Sequence, residues 1–375
     1  MRLVLVLMVG LLLVSAAMSL VVNVNKFSLH SMYRNRLIRA YIGTSRVPRR
    51  PNLFTGFDRN DNVYFRDLRV LRPLHVVNMA LNLVAGDKLA WQERKAETFT
   101  VTKLHAGSYH VGYRPSGEYG GRDGMSLGTA VAISGAAASP NMGYHSSPMV
   151  TFLMALFNAR LGWWLGNPGV HGADTYRTPS PRFAFMAILA EALGLTTDRR
   201  RYVYLSDGGH FDNLGLVEMI LRRCHIVVVS DAGCDPRYGF EDLGGAIRKV
   251  RIDLGMPIDM ETMKIRPPDT SPGAYCAVGR IRYSEVDGTN PEDDGWLVYI
   301  KPALRGGEPA DVVAYAQRSR AFPQEPTSDQ WFSESQFESY RRLGLWEVET
   351  IVGAGVAADL TDLVGRAQRH VQTVP

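Results

Sequence analysis

The chain has 375 residues, enough for one large or two ordinary domains. With 46% hydrophobic and 21% charged residues it can bury a core, which excludes a disordered chain; 36 glycines and 20 prolines, without any repeat, indicate many turns and exclude a collagen-like polymer. The net charge is +5, and the three cysteines, Cys224, Cys234 and Cys276, lack the paired spacing of a disulfide framework or a zinc site. They read as small core fillers in a reduced compartment.

Residues 3–22 form an uncharged apolar run of twenty residues. At about 1.5 Å per helical residue this run spans roughly 30 Å, the thickness of a hydrocarbon core. A signal peptide is the competing reading, with Met1-Arg2 as its charged start and Ser15-Ala16-Ala17 as small residues. Positive charge follows the run: Lys26, Arg34, Arg36, Arg39, Arg46, Arg49 and Arg50, with no acid among residues 26–50. Nucleic-acid binding is one reading of such a block. Its place beside an apolar segment favours a membrane, with anionic head groups attracting the arginines and the positive-inside rule holding the bulk of the chain in the cytoplasm. The expected organisation is a transmembrane helix over 1–24, a basic juxtamembrane segment over 25–50 and an α/β domain over 51–375.

Residues 71–83 read as a buried strand leading to Asn78 and Asn82, and residues 99–104 alternate like a strand with one exposed face. The Gly-, Tyr- and Arg-rich stretch 107–124 reads as a loop. Small residues over 127–138 predict a close-packed helix, ended by Ser139-Pro140-Asn141-Met142-Gly143. The apolar stretch 148–165, closing on Trp163-Trp164, reads as a core helix, a lipid-facing lid or an interfacial helix. Helices are expected over 183–193, 243–251 and 359–371, and a strand over 298–301. Phe337, Tyr340 and Leu343 stand at helical spacing in the polar, aromatic stretch 323–346.

The densest signal is Ser206-Asp207-Gly208-Gly209-His210-Phe211-Asp212-Asn213. It lies between an apolar run at 202–204 and a helical pattern at 216–221, with a second apolar run at 226–229. Strand, glycine turn, helix, strand predicts a βαβ unit and therefore a parallel sheet. An acid at the end of a parallel strand sits where open α/β sheets place ligands. An ionised Asp207 can act as general base to a serine hydroxyl, with Gly208 and Gly209 shaping the turn towards substrate. The plainer reading is a turn aspartate that caps the adjoining helix, although Asp212 or Asn213 is a good N-cap for that helix.

A nucleophile is harder to place. The one G-x-S-x-G frame, Gly124-Met125-Ser126-Leu127-Gly128, follows a polar loop rather than the strand that a nucleophile elbow requires. Ser126 therefore also reads as a helix N-cap, and Ser134 has less elbow character still. Asp207, His210, Asp212 and Asp231 would offer hard ligands to a divalent ion, but no metal-ligand spacing supports them. No metal or other cofactor is expected.

Asp207-Gly208-Gly209-His210-Phe211-Asp212-Asn213-Leu214-Gly215, the run 226–233, Ala132-Ile133-Ser134-Gly135-Ala136-Ala137-Ala138-Ser139-Pro140-Asn141 and the block 331–340 resemble the C-terminal portion of patatin-like and cytosolic phospholipase A2-like lipid hydrolases. More narrowly, they are similar to the large bacterial membrane-associated type. The resemblance implies a three-layer α/β/α fold and a Ser–Asp dyad whose acid maps to Asp207. It implies membrane lipids as partners and lipid acyl esters as substrates. The glycine-rich oxyanion loop and elbow of the family do not occur before Asp207. The expectation is thus a module whose serine comes from a missing N-terminal half or a partner chain, or from Ser126. Two alternatives stay open: a non-catalytic membrane-anchored subunit, and a metal-dependent hydrolase.

Overall fold

Residues 77–82 and 96–101 alternate β-branched, aromatic and polar side chains, the pattern that suits a pleated ladder. In the computed structural model, which describes all residues except 1, 69–71, 87–88, 143–146, 269–271, 327–328 and 330–331, they pair as β1 (Val77–Asn82) and β2 (Ala96–Val101). The expectations that fall on Leu71, Gly143 and Trp331 lie outside the described residues. The chain is mixed α/β and divides into two compact units, Met1–Asn213 and Leu214–Pro375.

The first unit holds α1 (Arg2–Val21), α2 (His30–Leu37), α3 (Leu89–Arg94), α4 (Leu127–Ser134), α5 (Pro148–Leu156) and α6 (Ala184–Ala192). Its sheet adds β3 (His105–Ser108), β4 (Gly112–Pro115), β5 (Trp163–Gly166) and β6 (Tyr202–Ser206), in the order β4-β3-β2-β1-β6-β5. Every pairing in it is antiparallel. Alternate side chains of one strand serve opposite faces. Thus Trp163 and Leu205 pack with Ala130 and Ile133 of α4, whereas Trp164 and Tyr204 pack with Ala184, Ala187 and Ala190 of α6. Between those helices the sheet is covered on both sides. At its edge, Asn25 imitates a neighbouring strand: its Nδ2 donates to the Trp164 carbonyl at 2.8 Å and its Oδ1 accepts from the Trp164 N–H at 2.9 Å.

The second unit holds α7 (Leu216–Leu221), α8 (Glu241–Leu254), α9 (Tyr283–Asp287), α10 (Ala310–Arg318), α11 (Glu334–Val352) and α12 (Leu360–Thr373). Its strands are β7 (Ile226–Ser230), β8 (Ile258–Met260), β9 (Cys276–Ile281) and β10 (Gly295–Ile300), in the order β7-β10-β9-β8. β7 and β10 are parallel, and the other pairs are antiparallel. Local chemistry sets the helix starts. Ser333 and Gln336 form a reciprocal capping box at α11, and Asp359 accepts from the Asp362 N–H at α12.

Several expectations change. The strand–helix–strand order around Asp207 is present, but β6 and β7 belong to different sheets, so there is no βαβ unit and β6 is antiparallel to both neighbours. An apolar run alone does not say which strand it will pair with. β2 has no exposed face: Thr98 and Thr100 are buried, and Thr98 Oγ1 donates to Asn78 Oδ1 at 2.7 Å. The expected loop at 107–124 begins with the β3–β4 hairpin. A Cβ on Gly107 would lie 2.1 Å from the Gly112 carbonyl oxygen, so only glycine fits there. Trp163 and Trp164 are strand residues, and α5 before them is no core helix, because Met149, Phe152 and Leu156 are exposed. Of the cysteines only Cys276 is buried; Cys234 is exposed and Cys224 half-buried, and all three are free thiols.

Candidate active site

The turn after β6 is built by its own backbone. Asp207 leaves the strand, and its Oδ1 accepts from the Gly209 N–H at 2.7 Å. Gly208, Gly209 and His210 then make one tight helical turn, closed by the Phe211 and Asp212 N–H groups on the Gly208 carbonyl. Neither Gly208 nor Gly209 has a positive φ. The demand at Gly208 is close approach: a Cβ there would lie 3.0 Å from the Asn78 carbonyl oxygen on β1. Asp207 thus does cap a turn, as the plainer reading has it. Asp212 and Asn213 do not cap the next helix. It starts two residues later, with Gly215 in the left-handed conformation at its N-cap.

The base of the turn is buried and polar. Asn82 Nδ2 donates to Ser206 Oγ at 2.8 Å, and the same hydroxyl is hydrogen-bonded to His210 Nδ1, also at 2.8 Å. Asn78 Nδ2 lies 3.4 Å from the Asp212 carbonyl, and Asn78 Oδ1 accepts from Thr98. Both asparagines singled out on β1 therefore support the turn.

Asp207 is half-buried, and burial pushes its carboxyl up to about 6, because desolvation outweighs the Gly209 N–H bond that favours the charged form. Among the described residues no cation is ion-paired with it. Its charge reaches Tyr33 on α2, whose hydroxyl is raised first by burial and then by Asp207. The Tyr33 hydroxyl lies where a Cβ on Gly135 would be only 2.7 Å away. Tyr33, Asn78, Ser134 and Gly135 share a cavity of about 380 Å³. Tyr33 carries no signal in the sequence that ties it to Asp207; it sits in the basic segment, far along the chain.

Ser126 stands at the other end of α4. Its Oγ accepts from Thr129 N–H at 3.3 Å and from Asn62 Nδ2 at 3.0 Å, and lies 2.9 Å from Thr129 Oγ1. The hydroxyl is buried and committed to capping. No strand runs directly into it: β4 ends eleven residues earlier, at Pro115. Eight residues of helix, about 12 Å, separate it from Ser134.

The three acids and one imidazole considered for a metal do not form a ligand group. Among the described residues no group of three or more His, Cys, Asp or Glu side chains is arranged to hold an ion. Asp231, in the second unit, is taken by Lys301 Nζ at 3.1 Å, by the Tyr299 hydroxyl and by the Gly233 N–H at 2.8 Å. The metal-dependent alternative thereby loses its ligand set.

No family model matches the sequence, and no curated protein matches it. Among solved structures the chain is similar to human GIVD cytosolic phospholipase A2, at 13% sequence identity and a TM-score of 0.42. The similarity covers 79% of this chain and 45% of that one, so the chain spans less than half of that protein's length.

Proposed function

We propose that this chain is a membrane-associated lipid acyl hydrolase module with part of a patatin-like α/β/α fold, in which Asp207 is the acid of a Ser–Asp dyad. The observation that carries the reading is the state of Asp207: a half-buried carboxyl with no ion-paired cation among the described residues, accepting from the Gly209 N–H, and pushed up by burial to about 6. A base of that strength suits proton transfer near neutral pH. In the first step a serine Oγ attacks the acyl carbonyl carbon while its proton passes to Asp207. The proton then goes to the departing alcohol oxygen, leaving an acyl-serine. Water then attacks the acyl carbon as Asp207 takes its proton, and Asp207 returns that proton to the serine Oγ as the ester bond breaks, releasing the acid and restoring both groups.

Hydrolysis of a fluorogenic acyl ester by the full chain tests the reading. Asp207→Asn should lower it by at least about a hundredfold, and undiminished activity would exclude the dyad. A fluorophosphonate adduct, mapped by peptide sequencing, identifies the serine. An adduct on Ser126 or Ser134 makes the chain autonomous. The commitment of Ser126 to its cap favours a second reading, a subunit that gives no adduct by itself and either receives a serine from a partner chain or keeps the fold without catalysis.

The anchor belongs to the same proposal. Among the described residues α1 is the one helix long and apolar enough to cross a membrane, and composition alone does not separate a span from a signal sequence. We read it as a single uncleaved span with the remainder cytoplasmic. Exposed Cys234 should then react with an impermeant maleimide only after the cells are lysed.

A further inference from the structure

The basic block meant for the bilayer is partly consumed inside the protein. Arg49 pairs with Asp61 at 2.6 Å, and Arg46 lies 3.3 Å from Asp58 and 3.4 Å from Asp61. A different cationic cluster faces the helix that packs on α1. Arg182, Arg199, Arg200 and Arg201 rim a cavity of about 590 Å³, whose walls are Trp164, Phe183, Met186, Ala187, Ala190 and Tyr202. Among the described residues no acid lines it. Asp174 neutralises Arg201, but Arg182 and Arg200 keep the rim cationic, and the walls are apolar.

The same helix continues into the surface of α1. The Phe185 N–H donates to Ser19 Oγ at 3.3 Å, and Phe185 shares a groove with Val9, Leu13 and Ala16. Ala16 and Leu13 lie five and eight residues before Val21, about 8 and 12 Å inside the end of α1. Phe183, Met186, Phe152 and Leu156 on α6, α5 and their flanks are 48–62% exposed. Phe185 stands at that depth, and bare apolar side chains on the same helix and its neighbour, beside a spanning helix, would meet lipid, with the arginines at their rim meeting head groups.

We propose that this cavity holds the head group of an anionic phospholipid, with its acyl chains along the apolar face of α6 beside α1. The assignment rests on the reading of α1 as membrane-embedded. Charge complementarity selects the head group, and continuity with α1 selects a bilayer lipid over a soluble anion.

The full chain in nanodiscs tests it, with a genetically encoded fluorescent residue at Leu13 or, separately, at Met186. Acyl-brominated phosphatidylglycerol and acyl-brominated phosphatidylcholine serve as quenchers at equal content. The Leu13 reporter should be quenched equally by both. The Met186 reporter should be quenched about tenfold more efficiently by the anionic lipid, and Arg182→Gln with Arg200→Gln should remove that preference while leaving Leu13 quenching intact. Both arginines are exposed, so the pair of substitutions leaves the fold in place. Equal quenching of Met186 by the two lipids, or none, with Leu13 still quenched, overturns the pocket but not the anchor. An unquenched Leu13 overturns the anchor and the pocket with it. Saturable micromolar binding of inorganic phosphate to the Met186 reporter in detergent overturns the lipid in favour of a free anion.

Discussion

Two strands of this protein end in nearly the same way. β6 runs into Ser206-Asp207-Gly208-Gly209, and β7 into Ser230-Asp231-Ala232-Gly233. Each aspartate accepts from the N–H two residues on, at 2.7 Å for Asp207 and 2.8 Å for Asp231. Beyond that bond they part. Asp231 is buried against Lys301 and the Tyr299 hydroxyl, a saturated structural pair. Asp207 has no such cation among the described residues and is pushed by burial towards its neutral form. One turn motif, placed in two surroundings, gives an ion-paired fastener in one unit and a half-buried carboxyl pushed towards its neutral form in the other. Surroundings, not the local sequence, separate the two.

The largest expected effect strikes the fastener. Lys301→Met strands the Asp231 carboxylate in the interior and should cost about 3–5 kcal/mol in urea unfolding. A loss under about 1 kcal/mol would mean that Asp231 is no more structural than Asp207, and the contrast would fail. Next comes catalysis. Asp207→Asn should lower acyl-ester hydrolysis by about 10²–10⁴-fold, with the far-ultraviolet circular dichroism spectrum unchanged.

The pH dependence sharpens the difference further. A base at about 6 predicts activity that falls tenfold per unit as pH drops below 6. For stability the sign runs the other way. The folded Asp207 carboxyl binds its proton more tightly than the unfolded one, so ionised Asp207 destabilises the fold fully above about 6, and the penalty disappears as pH falls towards 3.8. Asp207→Asn should therefore raise the urea midpoint at pH 8 and leave it unchanged near pH 3.5. Smallest is Ser126→Ala, which removes the α4 cap and should cost about 1 kcal/mol. If hydrolysis survives that substitution, the serine lies elsewhere.

Much of the fold was legible in the sequence. Helical periodicity marks α6, α8 and α12 within a few residues, Phe337, Tyr340 and Leu343 fall on α11 although the stretch read for it began eleven residues too early, and the apolar runs mark β1, β6, β7 and β10. Pairing was not legible. Nothing in Tyr202-Val203-Tyr204 says that it joins Trp163–Gly166 and Val77–Asn82 rather than Ile226–Ser230, because partner choice depends on distant side chains such as Asn82 and Trp164. At the site, Asp207, Gly208, Asn78 and Asn82 stood out from residue type and place. Tyr33 did not, since it reaches the turn only through the packing of α2 on α4. The basic block misled for a related reason. Asp58 and Asp61 lie just beyond residue 50 and fold back onto Arg46 and Arg49, a neutralisation that a charge count over 26–50 cannot see.

The side chain of Asn25 has a mechanical consequence. It follows α1 by four residues and grips Trp164 through two hydrogen bonds, and Trp164 stands opposite Tyr204, three residues before Asp207. Three residues and a two-bond side-chain grip thus join α1 to the strand that carries the aspartate, so a displacement of the one is passed to the other.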